Sequence, residues 1–287
     1  LIKFWDLAPV NNILTDDPLL HRSLRLQHVE SRYPVTSLAV LDDFSQVAVG
    51  FADGKVILIR GAQLATDRAH RQKVLYTSQD PVTGLSFRRK GRSSLLYMAT
   101  TAKVMICDTT IVNKETFVVL DENGAALNTV AVRTGTPDSD LIIARQEAIY
   151  FYTTDGRGAC FAFDGKKSDM FWFSTYVVFL TPVVHPQPSS GRKGQGDSGA
   201  VMYVTFFDPE LKLIAYADMI VGPLRAKFSV WGGLFILSGD GKLWRFEEQE
   251  TDDKLGALYR LNLYPLAVQL AKRAGRDERS TYVILRR

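Results

Sequence analysis

Apolar and polar residues alternate with a period of two along most of this chain, in short runs bounded by Gly, Pro, Asn and Asp. Such runs predict β-strands that bury one face. Leu1 to Leu7 alternates around the Trp5-Asp6 pair, as the third strand of a WD-type blade commonly ends, so the chain is expected to begin inside a blade. After a Pro-, Asn- and Asp-rich loop from Pro9 to Pro18, Ser23 to Val29 is expected to be that blade's outer strand. The first complete repeat predicts strands over Val35 to Val40, Gln46 to Phe51, Lys55 to Ile59 and Lys73 to Tyr76. The second predicts Val82 to Phe87, Leu95 to Thr100, Lys103 to Cys107 and Thr116 to Leu120. The third predicts Leu127 to Val132, Leu141 to Ala144, Ala148 to Tyr152 and Gly158 to Phe163.

A fourth, less regular repeat gives Met170 to Phe173, Val177 to Leu180, Val201 to Phe206 and Leu213 to Ala217, interrupted by a Gly-, Ser- and Pro-rich excursion from Pro186 to Gly199 that is expected to be mobile. A fifth gives Ala226 to Trp231, Leu234 to Leu237 and Lys242 to Phe246 with no outer strand after them. Closed propellers often complete the last blade with a strand from the other terminus, so the missing strand is expected from residues before Leu1. Asp53-Gly54 and Asp240-Gly241 separate second and third strands, while Asp155-Gly156 separates a third from an outer strand. Asp-Gly suits these places because a two-residue hairpin turn, the kind expected here, needs positive φ.

The repeat is also written in residue identity. Pro34-Val35-Thr36-Ser37-Leu38-Ala39-Val40 returns 47 residues later as Pro81-Val82-Thr83-Gly84-Leu85-Ser86-Phe87, with a weaker copy from Ala126 to Val132. A period of roughly 40 to 50 residues is the mark of propellers and solenoids. At Glu247 the pattern changes to helical spacing. Thr251 or Asp252 is the expected N-cap, with Leu255, Leu258 and Leu261 on one face. A second helix is expected from Pro265, with Leu266, Ala267, Leu270 and Ala271 as its packing stripe and Gly275 as its stop, and a third from near Asp277. The expectation is therefore an all-β chain: a WD40-like β-propeller over 1–249, truncated at its N-terminus and of about seven blades when complete, then the first helices of an α-solenoid over 250–287.

Bulk composition narrows the function classes. The chain has 287 residues, 46% of them hydrophobic, enough for a full core. Its 35 Lys and Arg against 31 Asp and Glu leave a net charge of only +4, spread along the chain, which gives nucleic acid little support. Cys107 and Cys160 sit in apolar runs and read as two reduced, buried thiols of a cytosolic protein. No secretory signal opens the sequence, and the start at Leu1 without Met is read as a sign of missing upstream residues. The longest apolar stretch, Tyr176 to Val184, is far shorter than the ~20 residues that span a bilayer.

The candidate chemistry is sparse. Gly196-Asp197-Ser198-Gly199 copies the string around a serine-protease nucleophile, but it lies in the loop-like excursion after its only nearby histidine, His185. His21, His28, His70 and His185 are isolated, and neither cysteine has a ligand partner at zinc-site spacing. The adjacent carboxylates Asp16-Asp17, Asp42-Asp43 and Asp252-Asp253 read as turn or cap residues. Arg88, Arg89, Lys90 and Arg92 form the densest basic cluster, expected in the turn after Phe87, and are a candidate contact for an anionic surface; Arg68, Arg71 and Lys73 are weaker. Trp5, Trp172, Trp231 and Trp244 are expected as filler between blades. No catalytic, cofactor or metal residue is assigned.

Several strings resemble one family. Ala48 to Val56, Pro81 to Arg88, Asp155 to Phe163, Trp231 to Leu237 and Asn262 to Lys272 resemble the amino-terminal propeller of the vacuolar protein sorting-associated protein 11 family, class C core subunits of the HOPS and CORVET tethering complexes. The excursion from Pro186 to Gly199 has no counterpart in that resemblance, and the family's long solenoid and RING finger lie outside it. Zinc binding or ubiquitin-ligase activity of the RING is therefore not carried onto these residues. The resemblance implies a non-enzymatic scaffold on the cytosolic face of late endosome and vacuole or lysosome membranes, without a cofactor. Its implied partners are the sister class C subunits and other HOPS and CORVET subunits, with Rab GTPases and SNAREs indirectly. Two alternatives stay open: a propeller hydrolase with a central-channel site, resting on Ser198, and a peripheral propeller that binds anionic lipid.

Overall fold

The computed structural model describes residues 1–6, 18–27, 32–66, 69–133, 141–183 and 201–276. It is an all-β propeller followed by a short helical part, built as successive antiparallel sheets, and it divides into two compact units, Leu1–Asp169 and Met170–Arg287.

In the first unit, β1 (Ile2–Asp6) pairs with β2 (Leu19–Leu24). The expected strand from Ser23 to Val29 is thus displaced toward the N-terminus, and His28 and Val29 lie outside the described residues. The register Ile2 with Leu24 and Asp6 with Leu19 decides this, with a bulge between Phe4 and Trp5. Three four-stranded meanders follow. Blade 1 is β3 (Val35–Val40), β4 (Gln46–Phe51), β5 (Val56–Arg60) and β6 (Arg71–Tyr76). Blade 2 is β7 (Val82–Lys90), β8 (Ser93–Thr100), β9 (Val104–Asp108) and β10 (Thr116–Asp121). Blade 3 is β11 (Val130–Val132), β12 (Leu141–Ala144), β13 (Ala148–Thr153) and β14 (Gly156–Ala162). Strand β11 is shorter than expected. Asn128 takes a left-handed φ of 65° and the Thr129 hydroxyl donates to the Ala126 carbonyl at 2.9 Å, which turns the chain before Val130.

Second and third strands are buried on both faces, and their period of two divides them between neighbouring cores. Val47, Val49, Ile57 and Ile59 join Leu24 and Phe4 in the core toward β1 and β2, while Ala48, Val56 and Leu58 join Leu96, Met98 and Cys107 of blade 2. Tyr97, Ala99, Val104 and Ile106 then face Leu141, Ile143 and Tyr152 of blade 3. Each full burial of such a side chain stabilises by about 1.5–3 kcal/mol, so the seams hold the unit together.

The repeated phrase is the innermost strand, and its positions do equivalent work in consecutive blades. The Pro34 carbonyl accepts from the Ala52 amide at 3.1 Å, and the Pro81 carbonyl from the Thr101 amide at 3.0 Å. The register slips at the same point in both, between Val35 and Ser37 and between Val82 and Gly84, which is a bulge at the threonine. The Leu85 amide then donates to the Ser37 hydroxyl at 2.9 Å, tying the innermost strands of blades 1 and 2 together. Close approach explains the glycines here. A Cβ on Gly50 would lie 2.5 Å from Val82 Cγ1, and one on Gly84 would lie 2.5 Å from Val130 Cγ1.

The second unit carries blade 4, β15 (Asp169–Phe173), β16 (Tyr176–Pro182), β17 (Val201–Asp208) and β18 (Leu213–Val221), and then the three strands β19 (Ala226–Val230), β20 (Gly233–Leu237) and β21 (Leu243–Glu247). Val178, Leu180, Val204 and Phe206 of blade 4 share a core with Leu234 and Ile236 of the fifth sheet. The Asp-Gly turns of the first and fifth sheets are superimposable in their bonding. Phe51 N–H donates to Lys55 O and Gly54 N–H to Phe51 O at 3.0 and 3.1 Å; Ser238 N–H donates to Lys242 O and Gly241 N–H to Ser238 O at 2.9 and 3.0 Å. Gly54 and Gly241 alone of each pair take positive φ, 80° and 85°. The turns are therefore longer than the two-residue hairpins expected.

Helix α1 (Thr251–Arg260) has Glu250 at its N-cap position, one residue before the expected cap and without a side-chain capping hydrogen bond, and Asp252 and Asp253 fall in its first turn, where carboxylates suit the helix dipole. Leu255 is buried, but Leu261 is 66% exposed and lies past the helix end. Helix α2 (Tyr264–Arg273) carries Pro265 in its first turn and buries Ala267, Leu270 and Ala271, with Leu266 only half-buried. Gly275 ends it at φ 67°, and the Arg276 amide returns to the Ala271 carbonyl at 3.0 Å. The third expected helix lies outside the described residues.

Gly84→Ala is expected to cost about 1–3 kcal/mol, because branched Val130 has no free end to move aside. Gly158→Ala, whose nearest contact is 3.4 Å, is expected to be near neutral. Urea unfolding of the two variants measures the difference, and equal costs would show that the close approach is not what Gly84 serves.

Candidate functional site

The basic cluster is divided by the strand that carries it. Strand β7 runs on to Lys90, and the turn expected after Phe87 lies instead at Gly91, whose φ is 61°. Pleating then sends the side chains apart. Arg88 is 6% exposed and donates to the Tyr97 hydroxyl at 3.2 Å. Arg89 pairs with Asp43 of blade 1, Lys90 donates to the Thr154 hydroxyl of blade 3 at 3.1 Å, and Arg92 is exposed at the tip. Arg89 thus reaches toward blade 1 and Lys90 toward blade 3 while Arg88 is buried against Tyr97, so the four residues do not form one basic cluster; Lys90 and Arg92 remain exposed near the hairpin tip.

The charges with the most developed surroundings are carboxylates at blade seams, which the sequence reading passed over. Glu115, whose side chain is 5% exposed, meets Arg60 at 3.1 Å and Lys73 at 2.7 Å, both from blade 1. Burial pushes its carboxyl up, but the Lys73 hydrogen bond and the charges of Lys73 and Arg60 outweigh this and hold it below the ordinary range. Asp121, at the other end of β10, accepts from the Tyr152 hydroxyl at 2.6 Å and Arg145 at 3.2 Å, both from blade 3. Burial again pushes the carboxyl up, and the Tyr152 hydroxyl, the Asn123 amide and Arg145 bring it below the ordinary range. Arg145 also donates through Nε to the Gly124 carbonyl at 2.9 Å and lies 4.8 Å from the Tyr150 ring. The available signal was position: the two acids bracket one predicted outer strand.

In the second unit the same device joins a blade to a helix. Asp208, 1% exposed at the end of β17, pairs with Arg273 of α2 at 2.7 Å and accepts from the Glu210 and Leu211 amides at 3.0 Å. Leu211 packs beside Leu255, Ala267 and Leu270. A groove of about 580 Å³ lies between the blades and these helices, lined by Phe206, Ile214, Tyr216, Phe246, Leu258 and Leu261 among others. Three carboxylates line it: Asp208 pairs with Arg273, Glu248 is held by Lys254, Ser174 and Tyr176, and Glu247, more than half exposed, pairs with Arg245. Most of the remaining lining is apolar, which suits apolar contact.

The remaining candidates scatter. Cys107 is buried, and burial with nearby Glu115 and Asp108 pushes its thiol up to about 12, so it is unreactive. Cys160 is exposed, against expectation, because β14 is an outer strand with mostly solvent-facing residues. Trp231 is also not blade filler. It is 81% exposed at the β19–β20 turn, with φ 51°. Trp5 is 48% exposed, whereas Trp244 is half-buried and donates to the Ser238 hydroxyl at 3.1 Å. His21 stands 3.3 Å from Asp6, and His70 stands between Arg22 and Gln72 at 3.1 and 3.3 Å. His28, Arg68, His185 and Ser198 lie outside the described residues.

Comparison with known proteins adds a family. The model of the PEP5/VPS11 N-terminal family matches residues 1–248. A vacuolar protein sorting-associated protein 11 homolog of Dictyostelium discoideum is 32% identical over 302 residues, covering 95% of this chain and 30% of that protein. The homolog of Homo sapiens is 31% identical over 277 residues, covering 95% of this chain and 28% of that protein. The chain thus spans under a third of the length of these relatives. Among solved structures, a hydrazine synthase chain of Kuenenia stuttgartiensis superposes with a TM-score of 0.52 at 13% identity, over 74% of this chain and 64% of that one, a likeness of fold alone.

Glu115 and Asp121 titrate lower in the folded chain than in the unfolded chain, where ordinary values are about 4.3 and 3.9. Their contribution is present above about pH 4 and is lost as the pH falls through the depressed folded values. Glu115→Gln is expected to cost roughly 2 kcal/mol at neutral pH, leaving Arg60 and Lys73 without their shared partner, and to flatten the acid limb of a stability curve measured by urea unfolding. An acid limb of unchanged slope would assign the acid sensitivity to other groups.

Proposed function

The chain belongs to the PEP5/VPS11 N-terminal family, and from that premise we propose that it serves as the propeller arm of a class C core subunit of the HOPS and CORVET tethering complexes. Its role is that of a non-enzymatic scaffold in endosome-to-vacuole transport, holding partner subunits in place during vesicle docking and fusion. The family match over residues 1–248 carries this reading. The propeller extends over 1–249, and α1 and α2 begin the solenoid that links it to the rest of the subunit. Its direct partners are sister class C subunits and other complex subunits, with Rab GTPases and SNAREs reached through them. Membrane association is peripheral, on the cytosolic face of late endosomes and vacuoles or lysosomes. Among the described residues no helix is long and apolar enough to cross a membrane.

The closed chemistry of the groove supports a scaffold over an enzyme, since its carboxylates are held by ion pairs and hydrogen bonds. The protein is expected to copurify with the other class C subunits from cells. Arg273→Ala, which releases α2 from Asp208, is expected to weaken that copurification while the propeller remains folded. Complexes that assemble fully without this protein would refute the scaffold role.

A second reading rests on the hairpin tip where Lys90 and Arg92 are exposed. Each basic residue near an anionic membrane adds ~1 kcal/mol, so this tip with Arg89 gives at most weak recruitment. Co-sedimentation with phosphatidylserine vesicles is expected to fall when Lys90 and Arg92 are neutralised and to be unaffected by Arg88→Gln. Loss with Arg88→Gln alone would point to misfolding in place of lipid contact.

A further inference from the structure

One ammonium group of the first unit is buried without a carboxylate to match it. Lys167, in the connection that follows β14, is 4% exposed. Its Nζ donates to the Gln146 carbonyl at 2.7 Å and to the Phe163 carbonyl, which uses two of its three protons. Among the described residues it has no ion pair, unlike the seam cations Arg60 and Arg145, which meet Glu115 and Asp121. Burial holds its pKa below the ordinary lysine range, and the charges of Asp164 and Glu147 offset this only in part. Buried charges are normally paired, and here the neighbouring side chains supply no counter-ion.

Lys167 also lines a cavity of about 450 Å³ at the seam of blades 2 and 3. Gly124, Ala125, Ala126 and Ala144 give it small walls, and hydrogen bonds fix them: the Ala125 amide donates to the Thr100 carbonyl and the Ala144 amide to the Thr129 carbonyl, both at 2.9 Å. Lys166, exposed and without an ion pair among the described residues, lines the cavity as well. Arg145 does too, but Asp121 answers its charge. No acidic residue is among those described as lining it. We propose that this cavity binds a soluble phosphate monoester, its phosphate against Lys167 and Lys166 and its esterified group along the alanine walls.

The charge count selects phosphate. A phosphate monoester carries about −1.5 to −2 at neutral pH and three acceptor oxygens, which match two ammonium groups; a carboxylate brings one charge. The volume falls within the ~300–1,000 Å³ of small-molecule sites, so the group that bears the phosphate has room beside it. The surroundings select a soluble ligand over a lipid headgroup. Glu147 and Asp164 are exposed next to residues of the cavity and are held there, Glu147 by the Tyr150 hydroxyl at 2.7 Å and Asp164 by the Gly165 amide at 2.8 Å. Fixed acids beside the opening repel an anionic bilayer and leave a small anion free to enter. The site is additional to the scaffold role and does not rest on it.

Titration calorimetry of the full chain with glycerol phosphate at neutral pH is expected to show saturable one-site binding with a dissociation constant below about 1 mM, and acetate is expected to bind about tenfold more weakly or less. Lys166→Ala is expected to weaken glycerol phosphate binding about tenfold with urea unfolding unchanged, since Lys166 is exposed. Ala126→Glu, which sets a carboxylate beside the two ammonium groups, is expected to abolish it. Lys167→Met is expected to abolish it as well; because this variant also loses the bonds to Gln146 and Phe163, the first two decide if it fails to fold. Absence of saturable binding, acetate binding as tight as the ester, or binding indifferent to both Lys166→Ala and Ala126→Glu would each overturn the proposal. Co-sedimentation with phosphatidate vesicles by a chain that ignores glycerol phosphate would give the cavity to a membrane and overturn it likewise. None of these outcomes depends on assembly with class C subunits.

Discussion

The second and third strands of blades 1 to 3 are buried on both faces, and this one constraint orders the rest of their unit. Val47 and Val49 turn one way and Ala48 the other; Leu96 and Met98 turn one way and Tyr97 and Ala99 the other. A single blade would therefore expose two apolar faces, which is why such sheets are stable only when stacked. Ladder hydrogen bonds make a blade, but face-to-face burial selects its neighbours. At the innermost strands the contact is tightest, and there a side chain is excluded altogether, at Gly50 against Val82 and at Gly84 against Val130.

The seam also decides where charge can be placed. On the two middle strands an unpaired carboxylate would be desolvated by both blades, so the acids sit at the ends of an outer strand, where each reaches cations or hydroxyls of one adjacent blade. Glu115 reaches back to blade 1 and Asp121 forward to blade 3, so β10 is fastened at both ends to different neighbours. Such pairs are largely offset by desolvation and act more on register than on total stability. Asp208 of the second unit differs in ending the third strand of its blade, where Arg273 of a helix compensates its burial and Leu211 supplies the apolar half of the joint.

Much of this was legible because the constraint acts on period and identity together. The Pro-Val-Thr phrase, the fully apolar middle strands and the Asp-Gly turns each answer a local backbone or seam requirement, and all appear where the sequence pattern placed them. Outer strands were harder. β2 was misplaced and Cys160 taken as buried because a strand exposed on both sides carries no pattern tied to burial. The basic cluster failed for a different reason: pleating sends Arg89 and Lys90 to opposite faces, burial takes Arg88, and only the turn after Gly91 leaves Arg92 exposed. Trp231 shows the limit of composition, since a large aromatic residue belongs to a core only if its turn does not lift it out. Long-range pairs such as Glu115 with Lys73 have no local signature at all.

Perturbed titration commonly marks catalytic residues, yet here it marks construction. The shifted groups have structural causes: burial in the core between blades 1 and 2 raises Cys107, burial and the hydrogen bond to Asp121 raise Tyr152, and the contacts with Lys254 and Ser174 outweigh burial to lower Glu248. The middle strands are buried against two neighbours at once, whereas the outer strands are mostly exposed between a few seam contacts, and they diverge accordingly: β6 is charged, β10 apolar, β14 rich in glycine and β18 long. Differences among otherwise equivalent blades therefore accumulate on the rim.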